Sequence, residues 1–282
     1  MKKIRKVGVI GAGLMGAGIA QVCAGAGVPV ILNELSDELV QKGFSSIQKL
    51  LTKRVEKGKI TKEELDGIIG KIETSTKLND LSECCLIIEA VPENIEIKQS
   101  IYKKLDEIAS DSRILASNTS GISIAKLGSL LSKPENFIGM HFFYPAPIMK
   151  LVEVIPSLVT SKDTFDTVWS FTQTIGKEPI KAPDMPGFVV NRVLCPIMNE
   201  AAFMVMEGVA PEDIDKGMEL GANLPMGPLK LLDFVGLDTF LNTMAGLYRD
   251  FGDPKYRPCP LLVKMVESNL LGRKSGRGFY TY

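Results

Sequence analysis

Gly11-Ala12-Gly13-Leu14-Met15-Gly16 directly follows the apolar run Val7 to Ile10 and opens a stretch of small and apolar residues at helical spacing, Gly16 to Ala26. A glycine-rich turn in this position strongly constrains the fold. The first glycine permits a tight exit from a strand, the second lets backbone approach a pyrophosphate, and the third lets helix pack closely on strand. The helix N-terminus adds unpaired N–H groups and a partial positive charge. A second β-rich run, Val28 to Leu32, completes a strand–helix–strand unit. Alone, GxGxxG is a weak pattern. Within this unit it predicts a dinucleotide site built from Gly11, Gly13, Leu14, Met15 and Gly16.

Glu34 ends the second strand, 18 residues after Gly16. An acid there accepts hydrogen bonds from ribose hydroxyls and repels a 2′-phosphate, so NAD is the expected cofactor rather than NADP. Its methylene beyond the commoner aspartate leaves strict discrimination between the two open.

The alternation continues. Asp37 to Glu56 reads as an amphipathic helix, and Thr61 to Ile69 as another, opened by a Thr61/Glu64 capping box. Cys85 to Ala90, Arg113 to Ala116, Phe137 to Phe142 and Leu151 to Ile155 read as further strands. The expected fold class is α/β: a Rossmann-type doubly wound parallel sheet with helices on both faces. The character changes at Pro183-Asp184-Met185-Pro186-Gly187. Beyond it, Phe188 to Glu207 (interrupted by Pro196), Pro211 to Glu219, Leu229 to Phe251 and Leu261 to Ser268 read as helices. Two domains are expected: residues 1–185, α/β and nucleotide-binding, and 186–282, helical.

Composition narrows the partners. Lys plus Arg equals Asp plus Glu at 33 each, which disfavours a nucleic-acid ligand. Cys23, Cys84, Cys85, Cys195 and Cys259 are odd in number and form no CxxC pair, and the chain has one histidine. Buried free thiols in a reducing compartment are expected, with no structural metal. Met1-Lys2-Lys3-Ile4-Arg5-Lys6 superficially resembles a signal peptide, but the glycines that follow break the apolar stretch. No apolar run is long enough for a membrane span. A cytoplasmic protein is expected.

The single histidine, His141, lies in Phe137-Ile138-Gly139-Met140-His141-Phe142-Phe143-Tyr144. A lone histidine in an apolar strand is commonly a hydrogen-bonded core residue. Twelve residues on, however, Glu153 interrupts Leu151-Val152-Glu153-Val154-Ile155, and a carboxylate among apolar neighbours is costly to bury without a partner. Pro145-Ala146-Pro147 offers a return that brings the two together. A histidine held through one ring nitrogen is placed to move protons with the other, as hydride transfer from an alcohol requires. Ser117-Asn118-Thr119-Ser120 follows a strand at the expected ligand edge of the sheet, and reads equally as turn chemistry or as part of a site.

Together these residues resemble the L-3-hydroxyacyl-CoA dehydrogenases. The resemblance rests on Ala116-Ser117-Asn118-Thr119-Ser120, His141-Phe142-Phe143, Met149 to Val154, Pro186-Gly187-Phe188-Val189-Val190-Asn191-Arg192, Pro225-Met226-Gly227-Pro228 and Gly272 to Tyr280, and covers essentially the whole chain. The compact length resembles the bacterial 3-hydroxybutyryl-CoA members of butyrate-type metabolism.

The resemblance implies an NAD-dependent interconversion of a short-chain L-3-hydroxyacyl-CoA, such as 3-hydroxybutyryl-CoA, with its 3-ketoacyl-CoA. It implies His141 as general acid/base, Glu153 fixing its tautomer, Ser120 bonding the reacting oxygen, and Asn191 holding substrate or the catalytic pair. Ala90, Glu93, Lys98, Asn118 and Lys274 fall at cofactor-contacting positions, and Lys53 and Lys57 at positions that receive the anionic part of coenzyme A. Without the resemblance, Lys53 and Lys57 read as a solvated helix face. The helical domain is implied to complete the substrate site and to form a homodimer or higher homo-oligomer, with the methionine-rich helix Ile197 to Met206 as an interface. One departure stands out: Tyr144 occupies the place of an asparagine expected near the nicotinamide.

Two other readings stay open. A dehydrogenase of a free β-hydroxy acid pairs similar domains but resembles its own relatives in using a catalytic lysine. An NAD-binding protein without turnover is the other; it would be indifferent to loss of His141.

Overall fold

The computed structural model describes residues 3–108 and 113–282, so Met1 and Lys2 of the basic start lie outside the described residues. The chain divides into two compact units, Met1–Asp184 and Met185–Tyr282.

The first unit is built on one eight-stranded sheet. Its strands are β1 (Val7–Ile10), β2 (Val30–Asn33), β3 (Ile72–Ser75), β4 (Leu86–Glu89), β5 (Ile114–Ser117), β6 (Phe137–Phe142), β7 (Leu151–Ile155) and β8 (Glu178–Lys181). Their order is β3-β2-β1-β4-β5-β6-β7-β8. Every neighbouring pair is parallel except β6 and β7, which run antiparallel. The order reverses between β1 and β4, the place where ligands settle against the carboxyl ends of strands in open α/β sheets. β1, β2, β4, β5 and β6 are buried along their whole length, which is why they read as continuous apolar runs rather than alternating ones. Flanking the sheet are α1 (Leu14–Gly25), α2 (Asp37–Glu56), α3 (Lys62–Ile69), α4 (Ile95–Ile108), α5 (Ile124–Gly128) and α6 (Lys162–Thr174). Val9, Ile19, Leu32, Ile88 and Ile138 sit at the centre of the core. The capping box at α3 is present with both bonds, Glu64 N–H to Thr61 Oγ1 at 3.1 Å and Thr61 N–H to Glu64 Oε2 at 2.7 Å.

The second unit is helical: α7 (Val190–Met206), α8 (Pro211–Gly221), α9 (Pro228–Val235), α10 (Leu237–Phe251) and α11 (Pro260–Glu267). Leu229, Leu232, Phe240, Met244 and Leu262 form its core. Pro196 lies inside α7. The expectation of one helix over Leu229 to Phe251 needs correction. Gly236 adopts φ +97°, a left-handed conformation that stops α9, and α10 starts afresh one residue later. The tail after α11 is held by two buried carboxylates. Asp233 accepts from the N–H groups of Phe279 and Tyr280, both at 2.9 Å, and Asp215 accepts from Tyr280 Oη at 2.7 Å.

Candidate active site

The glycine turn takes the shape the sequence requires. Gly11 has φ +98°, and a Cβ there would lie 2.6 Å from the Ala90 carbonyl oxygen; a Cβ on Gly16 would overlap the Gly11 carbonyl itself. Around Gly13, by contrast, a Cβ would meet only open space. Gly13 is the N-cap of α1, with no side-chain cap and no acid in the first turn, so the helix end stays open to an anionic group. Leu14 is exposed and Met15 half-buried beside it. Glu34 reaches across from the end of β2: Oε2 accepts from Ala12 N–H at 2.9 Å and Oε1 from Leu35 N–H at 2.8 Å. A carboxylate thus stands at the rim of the turn, where a ribose diol would meet it. This cradle and its open helix end fit a dinucleotide.

The next strand ends carry a connected polar cluster. Glu89, at the end of β4, is fully buried and accepts four hydrogen bonds. Val91 N–H and Lys98 Nζ donate to Oε1 at 2.8 and 2.6 Å, and Tyr102 Oη and Ser117 Oγ donate to Oε2 at 2.7 and 2.8 Å. Lys98 is itself 1% exposed and lies 3.3 Å from Glu93 Oε2. Glu93 Oε1 in turn accepts from the Thr119 hydroxyl and from the N–H groups of Ser120 and Gly121 at 3.0 and 3.1 Å. Burial first, and the charge of Glu89 second, push the Tyr102 phenol well above its ordinary value. The phenol therefore stays protonated and acts as a donor.

Asn118 joins this turn to the histidine strand. Its side-chain oxygen accepts from Phe142 N–H at 2.9 Å, one residue beyond His141. His141 and Glu153 are direct partners in the antiparallel register of β6 and β7. Nδ1 lies 2.6 Å from Glu153 Oε2, with His141 6% and Glu153 0% exposed. The Phe143 ring tilts over the imidazole at 4.5 Å. The connection between the two strands is anchored by Lys177, whose ammonium donates to the carbonyls of Ala146 and Met149 at 2.6 and 2.7 Å. Tyr144 is half exposed at the start of that connection.

In the first unit the structure brings together Gly11, Ala90, Glu93, Lys98, Asn118, Ser120, His141 and Glu153 along adjoining strand ends. Lys53 and Lys57 stand apart, exposed at the C-terminal end of α2. In the second unit, Asn191 is half-buried in the first turn of α7, and Lys274 is exposed in the tail, with its ammonium 2.8 Å from both Asp238 Oδ1 and Thr239 Oγ1. Sequence reasoning did not find Glu89, Tyr102 or Lys177. The signal for Glu89 was available in principle, since it follows Leu86-Ile87-Ile88 as Glu153 follows Leu151-Val152. Among the described residues no cluster of His, Cys, Asp or Glu is arranged to hold a metal ion. No helix among them is long and apolar enough to cross a membrane.

The NAD binding domain of 3-hydroxyacyl-CoA dehydrogenase matches residues 6–185, and the C-terminal domain of 3-hydroxyacyl-CoA dehydrogenase matches 187–282. The chain is 48% identical to the 3-hydroxybutyryl-CoA dehydrogenase of Clostridioides difficile, over 98% of this chain and 99% of that protein. It is 46% identical to the 3-hydroxybutyryl-CoA dehydrogenase of Bradyrhizobium diazoefficiens, over 99% and 96%. The crystal structure of (S)-3-hydroxybutyryl-CoA dehydrogenase from Ralstonia eutropha superimposes with a TM-score of 0.96 at 48% identity, covering 99% of each chain. A glycine cradle with an acid at its rim, a buried histidine–carboxylate pair and matches over both halves lead to one conclusion: this chain belongs to the 3-hydroxyacyl-CoA dehydrogenase family and is an NAD-dependent oxidoreductase.

Proposed function

We propose that the protein interconverts a short-chain L-3-hydroxyacyl-CoA, 3-hydroxybutyryl-CoA foremost, with its 3-ketoacyl-CoA, and that His141 and Glu153 handle the proton. The observation that carries this reading is the 2.6 Å contact between His141 Nδ1 and Glu153 Oε2, both buried, across a strand pair. The Glu153 carboxylate accepts the Nδ1 proton, fixes the tautomer and leaves Nε2 for exchange with the substrate oxygen. In oxidation Nε2 takes the hydroxyl proton, and the carboxylate stabilises the imidazolium that forms. In reduction the same nitrogen returns the proton to the carbonyl oxygen. NAD, when bound, supplies the hydride acceptor or donor for the substrate carbon.

Ser120 holds the reacting oxygen through its hydroxyl, while Glu93 fixes the backbone beneath it. Gly11, Gly13, Leu14, Met15 and Gly16 hold the pyrophosphate and Glu34 the ribose, with Ala90, Glu93, Lys98, Asn118, Tyr144 and Lys274 as further cofactor contacts. Lys53 and Lys57 receive the anionic part of coenzyme A, and Asn191 contacts substrate. These assignments rest on the family resemblance, supported for the first unit by the cluster of strand ends. The same reading makes the first domain the NAD-binding one, the second the substrate and dimerisation domain, and the cytoplasm the working compartment. Exposed Val193, Met204 and Met206 on α7 support a homodimer face.

The test is loss of NADH absorbance with acetoacetyl-CoA, beside free acetoacetate and beside NADPH. Turnover with NADH and the CoA ester alone supports the reading. Turnover of free acetoacetate favours a β-hydroxy acid dehydrogenase, and turnover with NADPH removes the role of Glu34 alone.

A further inference from the structure

We infer that Glu89 is a positioning residue for the turn that carries Ser120, acting through Lys98 and Glu93. The inference rests on the proposed role of Ser120 for its catalytic consequence, but not for its structural content.

Glu89 is fully buried and takes no part in the proton path. An ionisable group in that position is costly unless each lone pair finds a donor, and here four donors from three elements converge on it: Val91 N–H beyond β4, Lys98 and Tyr102 from α4, and Ser117 from β5. The ammonium of Lys98 is shared between two carboxylates, at 2.6 Å from Glu89 and 3.3 Å from Glu93. Glu93 is different in kind: its side chain is 40% exposed, and its second oxygen is committed to the Thr119 hydroxyl and the N–H groups of Ser120 and Gly121. The order of the contacts assigns the work. Glu89 holds Lys98 back in the interior, so the ammonium pairs ionically with Glu93 at one oxygen only and leaves the other for the turn. Ser117, bonded to Glu89 on its hydroxyl, also accepts from Thr119 N–H at 3.2 Å, giving a second link from the same carboxylate to the same turn.

Glu89→Gln removes the charge and directs an amide at groups that themselves donate. Lys98 then has Glu93 as its one remaining carboxylate, the pair closes up, and Glu93 is drawn off the Ser120 and Gly121 N–H groups. The consequence is local: the turn loosens while the core of the sheet, made of apolar strands, stays intact.

Amide hydrogen exchange on the whole protein tests this without substrate or cofactor. Glu89→Gln is expected to speed exchange at Ser120 and Gly121 by about tenfold, as Glu93→Gln does, with the β1 and β4 amides unchanged. The double variant is expected to add less than about twofold to either single one, because the residues act in series. Unchanged exchange at Ser120 and Gly121, a rise spread evenly over the protein, or additive effects would each overturn the inference. If Glu89→Gln does not fold, Tyr102→Phe, which removes one donor to Glu89 and keeps the shape, carries the same test with a smaller expected rise of about threefold.

Kinetics supply the independent arm. With acetoacetyl-CoA, Glu89→Gln is expected to lower kcat about tenfold with KM nearly unchanged, the pattern of a lost transition-state contact. Loss of stability with kcat per folded molecule intact would leave Glu89 merely structural. A wild-type protein that does not turn over acetoacetyl-CoA would sink the proposed function while the exchange result still decides the role of Glu89.

Discussion

His141 and Glu153 face one another across the one antiparallel step in an otherwise parallel sheet, with Nδ1 2.6 Å from the carboxylate. A parallel neighbour would have needed a long crossover before Glu153; the tight return through Pro145 to Pro147 places the acid in register within twelve residues. Glu153→Gln keeps the shape but removes the charge, leaving an amide that can either accept from Nδ1 or donate to it, so the tautomer is no longer fixed. It is expected to lower kcat by about 100-fold or more while NADH binding is retained. Stopped-flow turnover beside NADH fluorescence titration checks this; an unchanged kcat would remove Glu153 from the mechanism.

Tyr144 is half exposed at the mouth of the β6–β7 connection, where the family resemblance expects asparagine. Tyr144→Asn is expected to fold normally and to change the kinetic constants for NADH, for acyl-CoA or for both. Unchanged constants for both ligands would show that the phenol does not reach the site.

The thiols divide by burial. Burial pushes Cys23 and Cys195 up to about 12 and Cys84 to about 11, and raises Cys259 as well. Thiolate is the reactive form, so these four are expected to resist a thiol reagent in the folded protein at pH 8. Half-buried Cys85 is expected to react first. Rapid labelling of more than one thiol before unfolding would contradict the packing around the others.

Tyr102 gives an alkaline signature. Its phenol is held protonated in the fold, chiefly by burial and next by Glu89, so its folded value lies above the unfolded value near 10. A raised folded value contributes stability that is complete below pH 10 and is lost as pH rises beyond it, because the unfolded chain then binds fewer protons. Denaturant midpoints are expected to fall above pH 10, and to fall less steeply in Tyr102→Phe. Parallel curves for the two proteins would contradict the buried Tyr102–Glu89 contact.

The parts of the site that were legible in the sequence are those where local chemistry admits few solutions. Gly11 and Gly16 have neighbours that leave no room for a side chain, and Glu153 in an apolar strand requires a partner. The edge strands were harder. Ile72-Glu73-Thr74-Ser75 and Glu178-Pro179-Ile180-Lys181 are short and partly exposed, so the apolar pattern that marks central strands is missing from both. The helices α4 and α6 lie in segments that carried no motif. Glu89 has the same apolar approach as Glu153, but an acid at the end of a strand usually meets solvent, and the partners Lys98, Tyr102 and Ser117 are gathered around it by the fold. Gly236 falls within a continuous helical pattern, and its φ of +97° is what sets the break.

The most direct test of the central claim is to compare wild type with His141→Gln in NADH-dependent reduction of acetoacetyl-CoA, with NADH affinity measured on both. Wild type is expected to turn over rapidly and the variant about 1,000-fold or more slower, with equal NADH affinity. A variant that retains most of the rate would contradict the assignment of proton transfer to the His141–Glu153 pair.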